Sequence, residues 1–239
     1  MTARLDGIDL VVFDKDGTLI EFGAMWNGWA VDLAAALHDG TGLPIETNLY
    51  SMLGFVPSTG RILPGGGLAS NPMARLRERT RGLLVDAGAT GAVADAVLAE
   101  AWHAPDPVRL ARPITDLVAL FGRLRASGRR IAVATSDDRD PSERTMAALG
   151  LGAWVEAMVC ADDGVQVKPA PDMVLHLCHA LGVAPARTAV VGDAPADMTM
   201  GRSAGAGLVI GVLSGVGDAE HLSPPADFVL ASVADLSTD

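Results

Sequence analysis

Aromatic side chains, cysteines and long apolar runs are all scarce in this chain. Phe, Trp and Tyr make up 4% of 239 residues, so the 49% hydrophobic content rests largely on Ala and Val. With a mean hydropathy of +0.31, that content predicts a sizeable core of small side chains. Two cysteines, Cys160 and Cys178, do not suggest a disulfide framework, and their spacing matches no common metal motif. Each sits among apolar neighbours and reads as a buried, inert thiol. No stretch reaches the ~18 uninterrupted apolar residues of a membrane span. The opening Met-Thr-Ala-Arg lacks the apolar region of a signal peptide, so a soluble, cytoplasmic chain is expected. Basic residues are few as well: 18 against 29 acidic, a formal charge of −11. That balance argues against a nucleic-acid backbone or an anionic membrane as partner. A small phosphorylated molecule stays open, because a metal and one or two local cations can dominate a site. The length suits one large domain, or a core with a smaller insert.

What is present centres on Leu10-Val-Val-Phe-Asp14-Lys15-Asp16-Gly17-Thr18-Leu19. The apolar run reads as a buried strand, and Gly17 allows a sharp turn after it. Extended backbone puts residues i and i+2 on one side, so Asp14 and Asp16 can converge at the strand end. Two such acids can share a hard cation, or one can act as nucleophile while the other moves a proton. Taken alone, the stretch also reads as a strand and an acidic turn.

The first strand is expected over Ile8–Phe13. Trp26, Trp29, Ala30, Leu33, Ala34 and Leu37 then recur at helical spacing, and Pro44 opens a second helix through Leu53. The Gly- and Pro-rich residues 54–70 read as a loop. Asn71-Pro72 predicts a helix start with Asn71 as N-cap, and another helix is expected over Thr90–Trp102. Ala104-Pro-Asp-Pro107 reads as a boundary. Beyond Pro113, helices alternate with strands expected at Ile131–Ala134, Val155–Cys160, Thr188–Val191, Ala206–Leu213 and Phe228–Leu230. Asp140-Pro-Ser-Glu143 resembles a capping box, and Pro171–Leu181 is expected to be helical. The alternation predicts an α/β fold: a Rossmann-like, doubly wound parallel sheet with helices on both faces. Residues 22–108 are expected to form an all-helical domain inserted into a core of residues 1–21 and 109–239.

Ligands of open parallel sheets bind beyond the carboxyl ends of the strands. Those ends carry Asp14 and Asp16, Thr135 and Ser136, a loop closing on Lys168-Pro169, and Gly192-Asp193 with Asp197. Each has a plain reading when taken singly. Lys168 reads as a solvated loop lysine and Thr135 as a strand cap. Asp172 reads as a helix starter, Asp162 and Asp163 as an exposed turn, and Arg61 as a solvated arginine. The five histidines form no sequence cluster, and Trp26 and Trp29 read as packing rather than substrate stacking.

Taken in order, the motifs resemble the phosphatase branch of the haloacid dehalogenase (HAD) superfamily. They are Asp14-Lys-Asp16-Gly17-Thr18, then Thr135, then Lys168 in Lys-Pro-Ala-Pro-Asp172, then Gly192-Asp193 with Asp197. The resemblance covers about residues 7–215, although the insert matches only in position and architecture, where the family places a C1-type cap. Gly-Val-Leu-Ser-Gly at 211–215 is similar to phosphoglycolate-phosphatase-like members. The resemblance implies that Asp14 attacks phosphorus and forms an aspartyl phosphate, while Asp16 protonates the leaving alcohol and then activates water. It implies Mg²⁺ held by Asp14, the backbone carbonyl of Asp16 and Asp193, with Asp197 as a supporting group or ligand. Thr135 and Lys168 would bind phosphoryl oxygens, with Ser136 beside them. Two departures stand out. Lys15 occupies a position where an apolar residue is common, and either points away from the site or tunes it. Ser136 replaces a frequent asparagine.

The resulting expectation is a Mg²⁺-dependent phosphatase for a small phosphomonoester, phosphoglycolate among the options, with the insert excluding water and shaping substrate choice. A phosphomutase shares the chemistry. A dehalogenase needs neither Asp16 nor the metal site, and a phosphoacceptor module would lack turnover. A monomer and a homodimer are both open.

Overall fold

The computed structural model describes residues 3–237. By its internal contacts the chain divides into two compact units. One takes in the described residues up to Phe22 and from Pro107 onward; the other is Gly23–Asp106.

The first unit is built on a six-stranded parallel sheet of β1 (Leu10–Phe13), β2 (Arg130–Ala134), β3 (Ala157–Val159), β4 (Thr188–Gly192), β5 (Leu208–Val212) and β6 (Phe228–Leu230). The spatial order is β3-β2-β1-β4-β5-β6. The inner strands are short apolar runs because both faces of a parallel sheet are covered. Alternate side chains leave to opposite faces. Val11, Phe13, Ile131, Val133 and Val191 pack with Leu117, Leu120, Phe121 and Leu124 of the helix Leu117–Ala126. Leu10, Val12, Ala132, Ala134 and Val190 pack on the other face with Met173, Val174 and Leu177 of Asp172–Leu181 and Met200 of Pro195–Ala204. The rings of Phe13 and Phe121 stack at 5.4 Å. Each expected strand is present, though the first, third and fifth are shorter than the apolar pattern suggests. Both cysteines are free and buried.

The second unit carries Gly23 onward of the helix Phe22–Thr41, and the helices Glu46–Leu53, Met73–Asp86 and Gly91–Ala101. Trp26, Trp29 and Trp102 meet edge to face at 5.6 and 5.2 Å, and Trp29 Nε1 donates to the His103 carbonyl. The three rings act as packing groups.

Three local expectations are corrected. Residues 54–70 are not simply a loop. Phe55–Val56 pairs antiparallel with Arg61–Ile62, and Gly67–Ser70 forms a helical turn, so the unit is not all helical. Asn71 does not cap the next helix. Its Nδ2 donates to the Gly67 carbonyl at 3.2 Å, and Pro72 takes the cap position. The Asp140–Glu143 capping box does not form, because that helix already begins at Arg139. Its first amide donates to Asp162 Oδ1 at 2.9 Å, a cap supplied from a distant loop. Among the described residues, no helix is long and apolar enough to cross a membrane.

Candidate active site

Sheet register levels the strand ends. Phe13 pairs with Val133 on one side and Val191 on the other. Asp14 is therefore level with Ala134 and Gly192, and Thr135 and Asp193 lie one residue further on. The sheet reverses its strand order beside β1, the place where open parallel sheets bind ligands beyond the carboxyl ends.

Asp14, Asp193 and Asp197 converge there, each with an oxygen within 4.8 Å of the others. All three are buried. Lys168, also buried, donates its ammonium to Asp14 Oδ1 and lies 2.6 Å from Asp197 Oδ1. Asp197 sits in the first turn of Pro195–Ala204, and its Oδ2 accepts from the Ala194 amide at 3.0 Å. Its Oδ1 has the ion pair but no aligned hydrogen bond. Asp193 is held at both oxygens, by the Thr18 hydroxyl at 3.2 Å and the Val216 amide at 2.7 Å.

The electrostatics follow from burial. Loss of water pushes Asp14 up to about 6, against the pull of Lys168 and with the help of Asp197 and Asp16. Burial, then Asp14 and Asp197, push Asp193 well above the ordinary carboxylate value. Burial alone would lower Lys168, but Asp14 and Asp197 outweigh it and hold the ammonium above the usual lysine value. One cation thus faces three buried carboxylates. The excess negative charge and the all-oxygen donor set fit a hard divalent cation.

Asp16, whose backbone carbonyl is expected beside Asp14 and Asp193 at the metal, turns its carboxylate toward Lys15. Its Oδ2 lies 2.6 Å from Lys15 Nζ, which leaves its backbone carbonyl as the ligand atom to consider. Asp197, expected as a supporting group or ligand, stands in the cluster with Asp14 and Asp193. Thr135 is buried at the end of β2, and Ser136 follows it, half-buried. The Thr135 oxygen accepts from the Asp137 amide at 3.1 Å, so its proton is available to an incoming acceptor. Lys15 is turned inward and fully buried between Asp16 and Asp137.

Three features of the site were missed in the sequence: Asp137, the Asp193-holding role of Thr18, and the turn after β5. The only signal for Asp137 was its place two residues after Thr135. In that turn the Ser214 hydroxyl donates to the Gly17 carbonyl at 2.7 Å, and Gly217 donates its amide to the Asp193 carbonyl at 2.9 Å. Gly17 adopts φ +89°, and a Cβ there would lie 2.5 Å from Asp193 Oδ2. A Cβ on Gly215 would lie 1.9 Å from the same oxygen. Gly215→Ala is therefore expected to displace the Asp193 carboxylate, costing about 1–3 kcal/mol in urea unfolding and weakening divalent-metal binding in calorimetry. Gly152→Ala, where a Cβ meets nothing within 4 Å, is the neutral control.

The family model for haloacid dehalogenase-like hydrolases matches residues 8–205. A phosphoglycolate phosphatase of Cupriavidus necator is 31% identical over 82% of this chain and 77% of its own length. A phosphoglycolate phosphatase of Rhodospirillum rubrum is 34% identical over 46% of each chain, so that match spans less than half of the relative. Among solved structures, a predicted phosphoglycolate phosphatase from Haemophilus somnus superimposes with a TM-score of 0.66 at 20% identity, covering 96% of both chains, a likeness of fold. The chain belongs to the haloacid dehalogenase-like hydrolase family, and within it its sequence likeness runs to the phosphoglycolate-phosphatase-like phosphatases.

Proposed function

We propose that this chain is a Mg²⁺-dependent phosphatase that hydrolyses a small phosphomonoester through a phosphorylated Asp14. The observation that carries the reading is the meeting of Asp14 with Lys168, Asp193 and Asp197 at one strand end. In the first step an Asp14 oxygen attacks phosphorus and the P–O bond to the alcohol breaks. Asp16 gives its proton to the departing oxygen. In the second step Asp16 takes a proton from water, the water oxygen attacks phosphorus, and the bond to Asp14 breaks. Inorganic phosphate leaves, with Asp14 and the proton on Asp16 restored. Lys168 and the Thr135 hydroxyl bind the phosphoryl oxygens, with Ser136 beside them. Asp14, Asp193 and the Asp16 carbonyl would hold Mg²⁺, with Asp197 in support or as a further ligand. Bound Mg²⁺ supplies positive charge against the repulsion between a carboxylate and a phosphate dianion.

Phosphoglycolate is the first substrate to try, because the Cupriavidus necator and Rhodospirillum rubrum relatives carry that activity in their names. The test is phosphate release from 4-nitrophenyl phosphate and from phosphoglycolate, with Mg²⁺ and with EDTA. Release is expected with Mg²⁺ and its loss with EDTA. Activity that survives full metal removal overturns the metal-dependent reading. Return of the phosphoryl group to a sugar, seen in the products, replaces hydrolase by mutase.

Protons compete with the metal for Asp14. With that carboxyl at about 6, apparent Mg²⁺ affinity is expected to rise about tenfold from pH 5 to pH 7. The raised Asp193 adds in the same direction. Titration calorimetry at the two pH values checks the slope; a flat profile would mean that Asp14 does not compete with protons for the ion.

A further inference from the structure

Lys15 is among the largest side chains with no exposure to solvent. Its ammonium lies 2.6 Å from Asp16 Oδ2 and 3.0 Å from Asp137 Oδ2. Asp137 in turn is tied at its other oxygen to the Asp138 amide, at 2.9 Å. Its own amide donates to the Thr135 hydroxyl, and its carbonyl accepts from the Ala161 amide at 2.9 Å. A chain of contacts thus runs from Asp16 through Lys15 and Asp137 to Thr135. None of its members belongs to the cluster of Asp14, Lys168, Asp193 and Asp197.

Such an arrangement is a poor way to gain stability. A lysine ammonium with no solvent exposure sits between two acid side chains, and an apolar residue of similar volume would satisfy that buried position at lower cost. What the ammonium does provide is direction. Asp16 follows the last strand residue by three positions and precedes a glycine, and the buried Lys15 ammonium at 2.6 Å fixes the direction of its Oδ2. Asp137 does the same for the ammonium, and its amide sets which way the Thr135 hydroxyl can donate.

We propose that Lys15 and Asp137 are a positioning pair that holds the Asp16 carboxylate in register with Thr135 for proton transfer. The inference rests on the phosphatase reading for the role of Asp16, and goes beyond it in giving a role to two further residues. The pair touches no reacting atom. It acts through Asp16.

The test is a double-mutant cycle on Mg²⁺-dependent phosphate release by the full chain: wild type, Lys15→Met, Asp16→Asn and the double variant. Lys15→Met is expected to lower kcat by about 10²-fold, with KM within about twofold, the scale of a misplaced catalytic group. In the Asp16→Asn background the same change is expected to cost less than about threefold, because the residue it serves is already gone. Full multiplicative loss in both backgrounds would make Lys15 a structural residue only and overturn the proposal, as would an unchanged kcat. If Lys15→Met does not fold, Asp137→Asn carries the same cycle with a loss of about tenfold, since it keeps the ammonium and frees it on one side. A readout without turnover separates the two claims. In ¹⁵N-lysine-labelled protein, a solvent-protected Lys15 ammonium resonance that is lost in Asp137→Asn supports the pair. A freely exchanging ammonium overturns it. A wild type that releases no phosphate yet keeps the protected resonance sinks the phosphatase reading while leaving the geometry of the pair standing.

Discussion

Asp14→Asn is expected to abolish turnover, by about 10⁴-fold or more, because the amide cannot take up the phosphoryl group. The fold should survive. The substituted side chain keeps the volume, Lys168 keeps Asp197 as a partner, and β1 keeps its apolar contacts on both faces. The stability change has a sign. In the folded, metal-free protein Asp14 titrates at about 6, above its ordinary 3.8. Its contribution to stability is therefore fully present below the ordinary value and is lost as pH rises through 6. Metal-free wild type should weaken over that window, and Asp14→Asn should weaken less. Phosphate release and urea unfolding at pH 4.5 and 7.5 check both parts. Near-normal turnover in a folded Asp14→Asn protein would remove the covalent mechanism.

Lys168→Met carries the second large effect. Phosphate release should fall by about 10²–10³-fold, the scale seen when one charge-stabilising donor is lost from a reacting centre. Without the ammonium, Asp14 and Asp197 lose their shared cation beside Asp193. Breaking one side of a buried ion pair costs about 3–5 kcal/mol when the orphaned charge stays ionised. The penalty should be larger at pH 8 than at pH 5, where protons neutralise the raised carboxyls, and Mg²⁺ should restore part of it. Unfolding with and without Mg²⁺ at the two pH values measures this. A variant as stable and as active as wild type would mean that the buried Lys168 ammonium serves neither the chemistry nor the carboxylate cluster.

Local pattern and tertiary context part company at chain turns and helix ends. Asn71 has the composition of an N-cap, yet its amide side chain finds the Gly67 carbonyl of the preceding helical turn. Asp140 and Glu143 have capping-box spacing, yet Asp162 caps the helix one residue earlier, and Arg139 is held there by Asp163 and Glu143. In the first case a carbonyl four residues upstream, and in the second a loop 23 residues downstream, outcompeted a capping preference worth about 1 kcal/mol. The apolar run at 206–213 likewise reads as one strand. The ladder ends at Val212, and the turn beyond it closes on Asp193 and Gly17.

Sequence alone determined the alternation of apolar strands and amphipathic helices, and with it the place of Asp14, Thr135, Lys168 and Asp193 at strand ends or in the loops between elements, with Asp197 a few residues beyond the fourth. Periodicity carries that information because burial on both faces of a parallel sheet demands near-continuous apolar strands, and polar residues then collect at their ends. Tertiary structure alone decided which of those residues meet. It grouped Asp197 with Asp14 and Asp193, brought Val216 and Thr18 onto Asp193, and set Lys15 between Asp16 and Asp137. The physical reason is reach. Lys15 and Asp137 lie 122 positions apart in the chain, and Thr18 and Asp193 lie 175 apart. Contacts across such separations depend on strand order, which the hydrophobic pattern along one segment does not encode.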